Sequence, residues 1–387
     1  MFRNILRNTL KAGEGTGEKA LPRISRAAIC AAGPSLDQEL PRLAKSRGRG
    51  ETFLIATDTS LPALLSAALE PEAVVSIDCQ HISYRHFIPP PRSGAPERTL
   101  PLRIPLFLDL ASPPLLSFLT ERPVFFSGGH PLADYISSRW RPFPAIDSSG
   151  GNVTYAAVSL AESLGAGEIE LYGADFSYPQ GRTYARGTYI FPYFEIRQHR
   201  LCPLEALFSN FLYRSPLEKK APPQTTEARH SNETWRSTET RRSNEAQNSI
   251  EAWYYETETL VRYREALEAK GERMGALLLP AGGTPFRVNS RPRAGIRPPR
   301  MISPPVPARS AGDFLAGYRE KIRSLPPVKS RSAADYPAGL GDEERQILAT
   351  LLPLAAALRR NEPRLTGAAI VEETKNYSIA AINRVLG

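Results

Sequence analysis

Five short strings in the first half of the chain gather residue types that bind phosphate, accept a proton or hold an anion. In Ala27–Asp37 (AAICAAGPSLD) an apolar run passes straight into the tight turn Gly33-Pro34-Ser35. Such a turn at the carboxyl end of a first parallel strand lets backbone N–H groups approach a phosphate or sugar oxygen. It lacks the G-x-G-x-x-G fingerprint, and the glycines of Gly13–Gly17 match no P-loop. In Phe53–Leu61 (FLIATDTSL) the strand-like run ends in Thr57, Asp58, Thr59 and Ser60. These either cap the next helix or face a ligand at the sheet edge. In Val74–His81 (VVSIDCQH) Asp78 follows a buried-strand pattern. A carboxylate there can accept a hydroxyl, bind a divalent cation or act as a general base. His81 is an acid–base candidate beside it, as is His86, although a loop histidine is more often a structural hydrogen-bonding residue.

The fourth string, Ser148–Thr154 (SSGGNVT), sets Gly150 and Gly151 just before a helix that has Asn152 and Thr154 in its first turn. Free N–H groups and the helix dipole make such a start an anion or nucleotide site, and simple capping accounts for it equally. The fifth is the most distinctive. Ile169–Tyr178 (IELYGADFSY) ends a strand at Gly173 and presents Asp175, and Gly181–Thr188 (GRTYARGT) then supplies Arg182, Tyr184 and Arg186. Two planar guanidinium groups in one loop suit paired bonds to a phosphate or carboxylate.

The elements that position these residues follow from hydrophobic periodicity. Short apolar runs at 27–31, 52–56, 73–77, 103–108, 124–126 and 168–172 read as buried strands, with helical patterns at 61–69 and 152–164 between them. This alternation predicts an α/β fold, a Rossmann-like mostly parallel sheet. The expected organisation is an N-terminal extension over 1–25, the Rossmann-like core over 26–213, a polar flexible linker over 214–249, a helical segment over 250–284, a Pro/Arg-rich linker over 285–310 and a small helical tail over 311–387. The segment 250–284 is placed to pack back on the core. Phe2, Ile5, Leu6 and Leu10 line one face of a short helix in the extension.

Composition narrows the class. A chain of 387 residues with 41% hydrophobic content buries a sizeable core. Three cysteines are too few for a disulfide framework or a Cys-rich zinc site, so a reducing cytoplasm is expected. No secretory signal is read at the N-terminus, and the longest apolar stretch, 102–119, is interrupted by Arg103, Pro105, Asp109, Pro113 and Pro114, so no membrane span is expected. The net charge is +9, and seven arginines without an acidic residue fall between Arg273 and Gly312. That run reads as a solvated linker, and no specific nucleic-acid binding is expected.

Taken in order, GPSLD, ATDTSLPALL, VVSIDCQ, GGNVTYAAVSLAESLGAGEIELYGADFSYP and GRTYARGTY resemble the family that joins the Maf motility-associated glycosyltransferases with the MptE-like 6-hydroxymethylpterin diphosphokinases. The similarity runs from about Arg26 to Tyr193. It implies a core related to bacterial sialyltransferases and a nucleotide site lined by Gly33, Pro34, Ser35, Asp58, Asp78, Gly151, Asn152, Thr154 and Asp175. The Maf branch implies transfer of a nonulosonic acid from a CMP-sugar donor to a flagellin-like protein hydroxyl, with no cofactor, with Asp78, Asp175 or His81 assisting proton transfer. The MptE-like branch implies transfer of diphosphate from ATP with magnesium (Mg2+) held by Asp58, Asp78 and Asp175. A third expectation is a catalytically degenerate member that binds a nucleotide or a partner. Three features depart from the pattern: Ala31 stands where a further glycine is usual, Cys79 where proline commonly follows the Asp, and only about 25 residues precede the core.

Overall fold

Alternate side chains of each strand go to opposite faces, and that alternation builds two apolar cores on one sheet. The computed structural model describes residues 1–14, 22–47, 52–87, 100–220, 253–280, 309–328, 336–365 and 367–387. In β1 (Arg26–Cys30), Ala28 and Cys30 enter one cluster while Ala27 and Ile29 enter the other. A strand buried on both faces is why this segment reads as an unbroken apolar run. β2 (Phe53–Thr57), β3 (Ala73–Ser76), β4 (Leu106–Asp109), β5 (Pro123–Phe126) and β6 (Glu168–Tyr172) follow the same rule and lie within three residues of the runs read in the sequence.

A small antiparallel sheet orders β7 (Tyr178–Pro179), β9 (Tyr254–Glu256) and β8 (Glu218–Lys220). Beside it lie two short helices, α6 (Ile190–Glu195) and α7 (Leu204–Leu212). A last strand, β10 (Leu277–Pro280), joins the large sheet, whose order is β10-β6-β1-β2-β3-β4-β5. Each of its pairings is parallel. The chain therefore steps outward from β1 to β5 and then returns to lay β6 on the other side of β1. That reversal opens a crevice between the carboxyl ends of β1 and β6, the place where doubly wound sheets bind ligands.

One face of the sheet is covered by α1 (Phe2–Glu14), α2 (Leu36–Arg47), α3 (Leu61–Ser66) and α4 (Pro131–Arg139) together with α9 (Ala311–Ser324), α10 (Asp342–Asn361) and α11 (Ala368–Leu386). The other face is covered by α5 (Val153–Ser163) and α8 (Glu258–Arg273). The structure moves one of the divisions drawn on the sequence and adds detail to two others. The extension over 1–25 carries a helix that is part of the core: Ile5 and Leu6 are fully buried, and the Asn8 side chain donates to Leu110 O at 2.9 Å and Ser112 O at 2.8 Å. The segment 250–284 adds strands as well as a helix, because Leu277–Pro280 has a free sheet edge at β6 to pair with. The helical tail docks, with Phe314, Leu315, Tyr318 and Ile382 buried in the same cluster as α1. Of the two linkers, residues 221–249 and 285–308 lie outside the described residues, and the flank of the first includes β8. No helix among the described residues is long and apolar enough to cross a membrane.

Candidate functional site

At the carboxyl edge the loops after β1 and β6 are stitched together by main-chain bonds. Ala31 N–H donates to Tyr172 O and Gly33 N–H to Gly173 O, both at 2.8 Å. This stitching brings the Asp175 carboxylate against Gly33, where an added Cβ would lie 2.0 Å from Asp175 Oδ2 and 2.5 Å from Gly173 O. Only glycine fits there. Ser35 N–H donates to Asp175 Oδ2 at 3.0 Å, which uses one carboxylate oxygen. The other, Oδ1, is buried without a hydrogen-bond partner. Burial pushes Asp175 up to about 6, with Asp37 adding to the rise, while the Ser35 N–H, the Ser35 hydroxyl and the Arg182 charge pull it down. A buried acceptor without a donor costs free energy, and the Ser35 hydroxyl that acts on this carboxylate is itself buried without a partner in hydrogen-bond geometry.

A second carboxylate stands behind the first. Glu39, on α2, accepts the Gly173 N–H on Oε2 at 2.7 Å and leaves Oε1 buried and unpartnered. Burial pushes it up to about 7, opposed by that N–H, and the neighbouring Asp175 charge adds to the rise. Sequence reading passed over Glu39 because it lies one helical turn beyond the GPS string, inside a helix interrupted by Pro41. The pattern Ser35-x-x-x-Glu39 was the available signal.

The crevice holds a cavity of about 200 Å3. Of the residues expected at a ligand site, Gly33, Thr57, Asn152, Thr154, Asp175 and Tyr184 line it. At its α5 side, Asn152 caps the helix by accepting the Tyr155 N–H at 2.9 Å, and the N–H groups of the first turn have no intrahelical acceptor. Gly151 reaches this turn with φ at +74°, and a Cβ on Gly150 would meet the Tyr155 ring at 2.2 Å, so both glycines serve the turn itself. Burial raises the Tyr184 hydroxyl above its ordinary range.

The remaining expected residues fall outside the lining. Asp58 is buried and fully engaged: Oδ1 accepts the Thr59 N–H and hydroxyl, and Oδ2 accepts the Ser76 hydroxyl at 2.6 Å. Its part is to hold Thr59, which does line the cavity. Pro34 sits within the β1 turn, and Ser35 acts through its N–H. Asp78 is half-buried and accepts the Gln80 N–H at 2.8 Å, next to an exposed His81. His86 is buried edge-on against Tyr189, its Nδ1 without a partner. Arg182 and Arg186 are both exposed on the loop after β7, with Arg182 acting on Asp175 through its charge and the Arg186 main chain tied to Asp37.

For magnesium, the three carboxylates that would hold it are not gathered. Asp58 is committed to Thr59 and Ser76, Asp78 lies outside the lining, and among the described residues no group of three or more His, Cys, Asp or Glu converges on a point.

A seven-stranded parallel sheet with its cavity at the chain reversal, flanked by a helix N-terminus and a glycine turn, defines a Rossmann-like α/β protein with a cavity at the topological switch point. Over residues 3–181 the chain matches the family described as 6-hydroxymethylpterin diphosphokinase MptE-like, and it resembles the MptE-like/Maf family. Its fold is that of the Maf glycosyltransferase from Magnetospirillum magneticum AMB-1, with a TM-score of 0.51 at 14% identity, covering 100% of this chain and 54% of that one. Two proteins of Treponema pallidum (strain Nichols), each described only as an uncharacterized protein, are also similar. One is 44% identical over 93 residues, 24% of this chain and 33% of its own length. The other is 28% identical over 247 residues, 58% of each. The chain thus spans about a third to three-fifths of the length of the relatives it matches.

Proposed function

We propose that this protein is a nucleotide-dependent transferase, and specifically a glycosyltransferase that moves a nonulosonic-acid-type sugar from a CMP-activated donor to a protein hydroxyl, with a flagellin-like protein as acceptor. The observation that carries the reading is the cavity at the β1/β6 switch point, which is lined by both the first turn of α5 and Asp175, whose Oδ1 is buried without a partner. Helix N–H groups suit the donor phosphate, and Oδ1 suits a hydroxyl of the donor or acceptor. A carboxyl group poised at about 6 can take and return a proton near neutral pH. Asp175 is therefore the acid–base candidate in contact with the cavity, and Asp78 and His81 would need an acceptor that reaches beyond it. Arg182, exposed outside the lining and acting on Asp175 through its charge, suits the carboxylate of a sugar that extends past the cavity.

The family description keeps the diphosphokinase alternative in view, with ATP and magnesium as reactants. Titration calorimetry with CMP and with ATP, each with and without magnesium, separates the readings. The expected result is metal-independent CMP binding that Asp175→Asn weakens at least about 10-fold, the scale of one hydrogen bond to a charged group. Magnesium-dependent ATP binding in place of CMP binding would overturn the glycosyltransferase in favour of the diphosphokinase. Binding to neither would remove the nucleotide site itself.

A further inference from the structure

The cavity has two unlike walls. One is polar and built by Gly33, Thr57, Asp175 and the first turn of α5; the other is apolar and aromatic, with Phe176, Tyr178, Leu260 and Tyr263. Leu260 and Tyr263 come from α8, which lies beyond the 3–181 span of the family match. Part of the apolar wall is thus supplied by a segment that the family match does not cover.

That segment is firmly placed. Thr257 caps α8 by accepting the Leu260 N–H at 3.2 Å, and Leu267, one turn after Tyr263, is fully buried in the core under α5. Lys270 pairs with Glu162 at 3.4 Å and with Asp147 at 3.8 Å, fixing α8 to α5 and to the loop before it. Residues three apart lie on one helix face, so docking through Leu267 and Lys270 turns Leu260 and Tyr263 to the cavity together. Tyr263 itself is half-buried and sits against the glycine turn, since a Cβ on Gly151 would lie 3.1 Å from its ring carbon Cε1. Gly151 therefore does two things: it takes a positive φ, and it leaves room for an aromatic ring beside the helix start that faces the cavity.

We infer that Tyr263 is the base-recognition residue of the site, stacking on the nucleobase of a nucleotide whose phosphate is held by the first turn of α5. This rests on the nucleotide reading above and deepens it. A tyrosine ring offers a flat apolar face at little conformational cost, and stacking tolerates different bases, so the ring would contribute affinity for any nucleotide and the surrounding polar groups would choose among them.

The test is calorimetry on the full chain with CMP and with ribose 5-phosphate, which keeps sugar and phosphate but lacks a base. In the parent protein CMP is expected to bind more tightly than ribose 5-phosphate. Tyr263→Phe is expected to keep that difference, and Tyr263→Leu to weaken CMP about 5- to 100-fold while leaving ribose 5-phosphate unchanged. Tyr263→Trp guards against loss of the fold in the leucine variant, since the indole it introduces is expected to be quenched by CMP and not by ribose 5-phosphate. Equal affinity of the parent for the two ligands, or equal losses for both in Tyr263→Leu, or equal quenching by both, would overturn the assignment while leaving the phosphate site standing. A parent protein that binds neither ligand would overturn the nucleotide reading and this inference with it.

Discussion

The same device occurs twice along the carboxyl edge of the sheet, once closed and once open. After β5, a Cβ on Gly128 would lie 2.0 Å from Asp109 Oδ2, just as one on Gly33 would lie 2.0 Å from Asp175 Oδ2. Both aspartates are buried, and burial pushes both up to about 6. At the closed site, Asp109 Oδ1 takes the Ala111 N–H at 2.7 Å, the Gly128 N–H also reaches the carboxylate, and the Ser148 hydroxyl ties down Gly128 O at 2.8 Å. At the open site, Asp175 keeps Oδ1 without a donor and lines the cavity. What separates the Asp109 bracket from the one that lines the cavity is thus whether its hydrogen bonds are complete. Neither burial nor a raised pKa distinguishes the two.

The comparison breaks most sharply at the glycines. Gly33→Ala forces a methyl group onto Gly173 O, a main-chain atom fixed in the sheet, as well as onto Asp175, and about 3 kcal/mol of stability is expected to be lost together with CMP binding. Gly128→Ala meets the side chains of Asp109 and Ser148, which can move, so about 1–2 kcal/mol is expected with CMP affinity retained. Urea unfolding and calorimetry on the two variants check this, and a loss of CMP binding in Gly128→Ala would dissolve the distinction.

The pH dependence of stability is expected to treat the two sites alike. Each aspartate has its folded pKa raised from 3.8 to about 6, so between those values the native state holds more protons than the unfolded chain. Stability is then greatest below about 4 for these groups and falls as pH rises through about 6, by up to about 3 kcal/mol per site. Glu39 extends the fall toward 7. Asp109→Asn and Asp175→Asn are each expected to flatten the curve of unfolding free energy against pH over that window. Ligand binding is expected to part them: at pH 7 the Asp175 variant loses at least about 10-fold in CMP affinity and the Asp109 variant stays within about twofold.

Much of this edge could be read in the sequence, because a strand buried on both faces leaves a continuous apolar run and its end is marked by Gly, Ser, Thr or Asp. GPS after β1 and GAD after β6 were legible for that reason, and so was Asn152 as a helix cap. Glu39 was not, since its part depends on α2 folding back under Gly173, a contact across 134 residues. Asp58 and Asp78 read alike as strand-end carboxylates, yet the first is spent on Thr59 and Ser76 and the second on Gln80. Only the folded neighbourhood decides which strand-end carboxylate stays free. Leu260 and Tyr263 had visible helical spacing, but their arrival at the cavity depends on β10 pairing with β6 across a long separation.

Ser148 gives the smallest and most exacting test of the open and closed brackets. It opens the SSGGNVT string, whose glycines, Asn152 and Thr154 surround the α5 turn, so sequence position alone groups it with the ligand site. Its hydroxyl instead donates to Gly128 O, on the closed bracket. Ser148→Ala removes one partly buried hydrogen bond and leaves the α5 cap untouched, because Asn152 supplies that cap. About 1 kcal/mol of stability is expected to be lost, seen as a lower urea midpoint with an unchanged slope, while CMP affinity stays within about twofold. A larger loss of affinity than of stability would place Ser148 with the cavity and would mean that the two brackets are coupled through the turn between them.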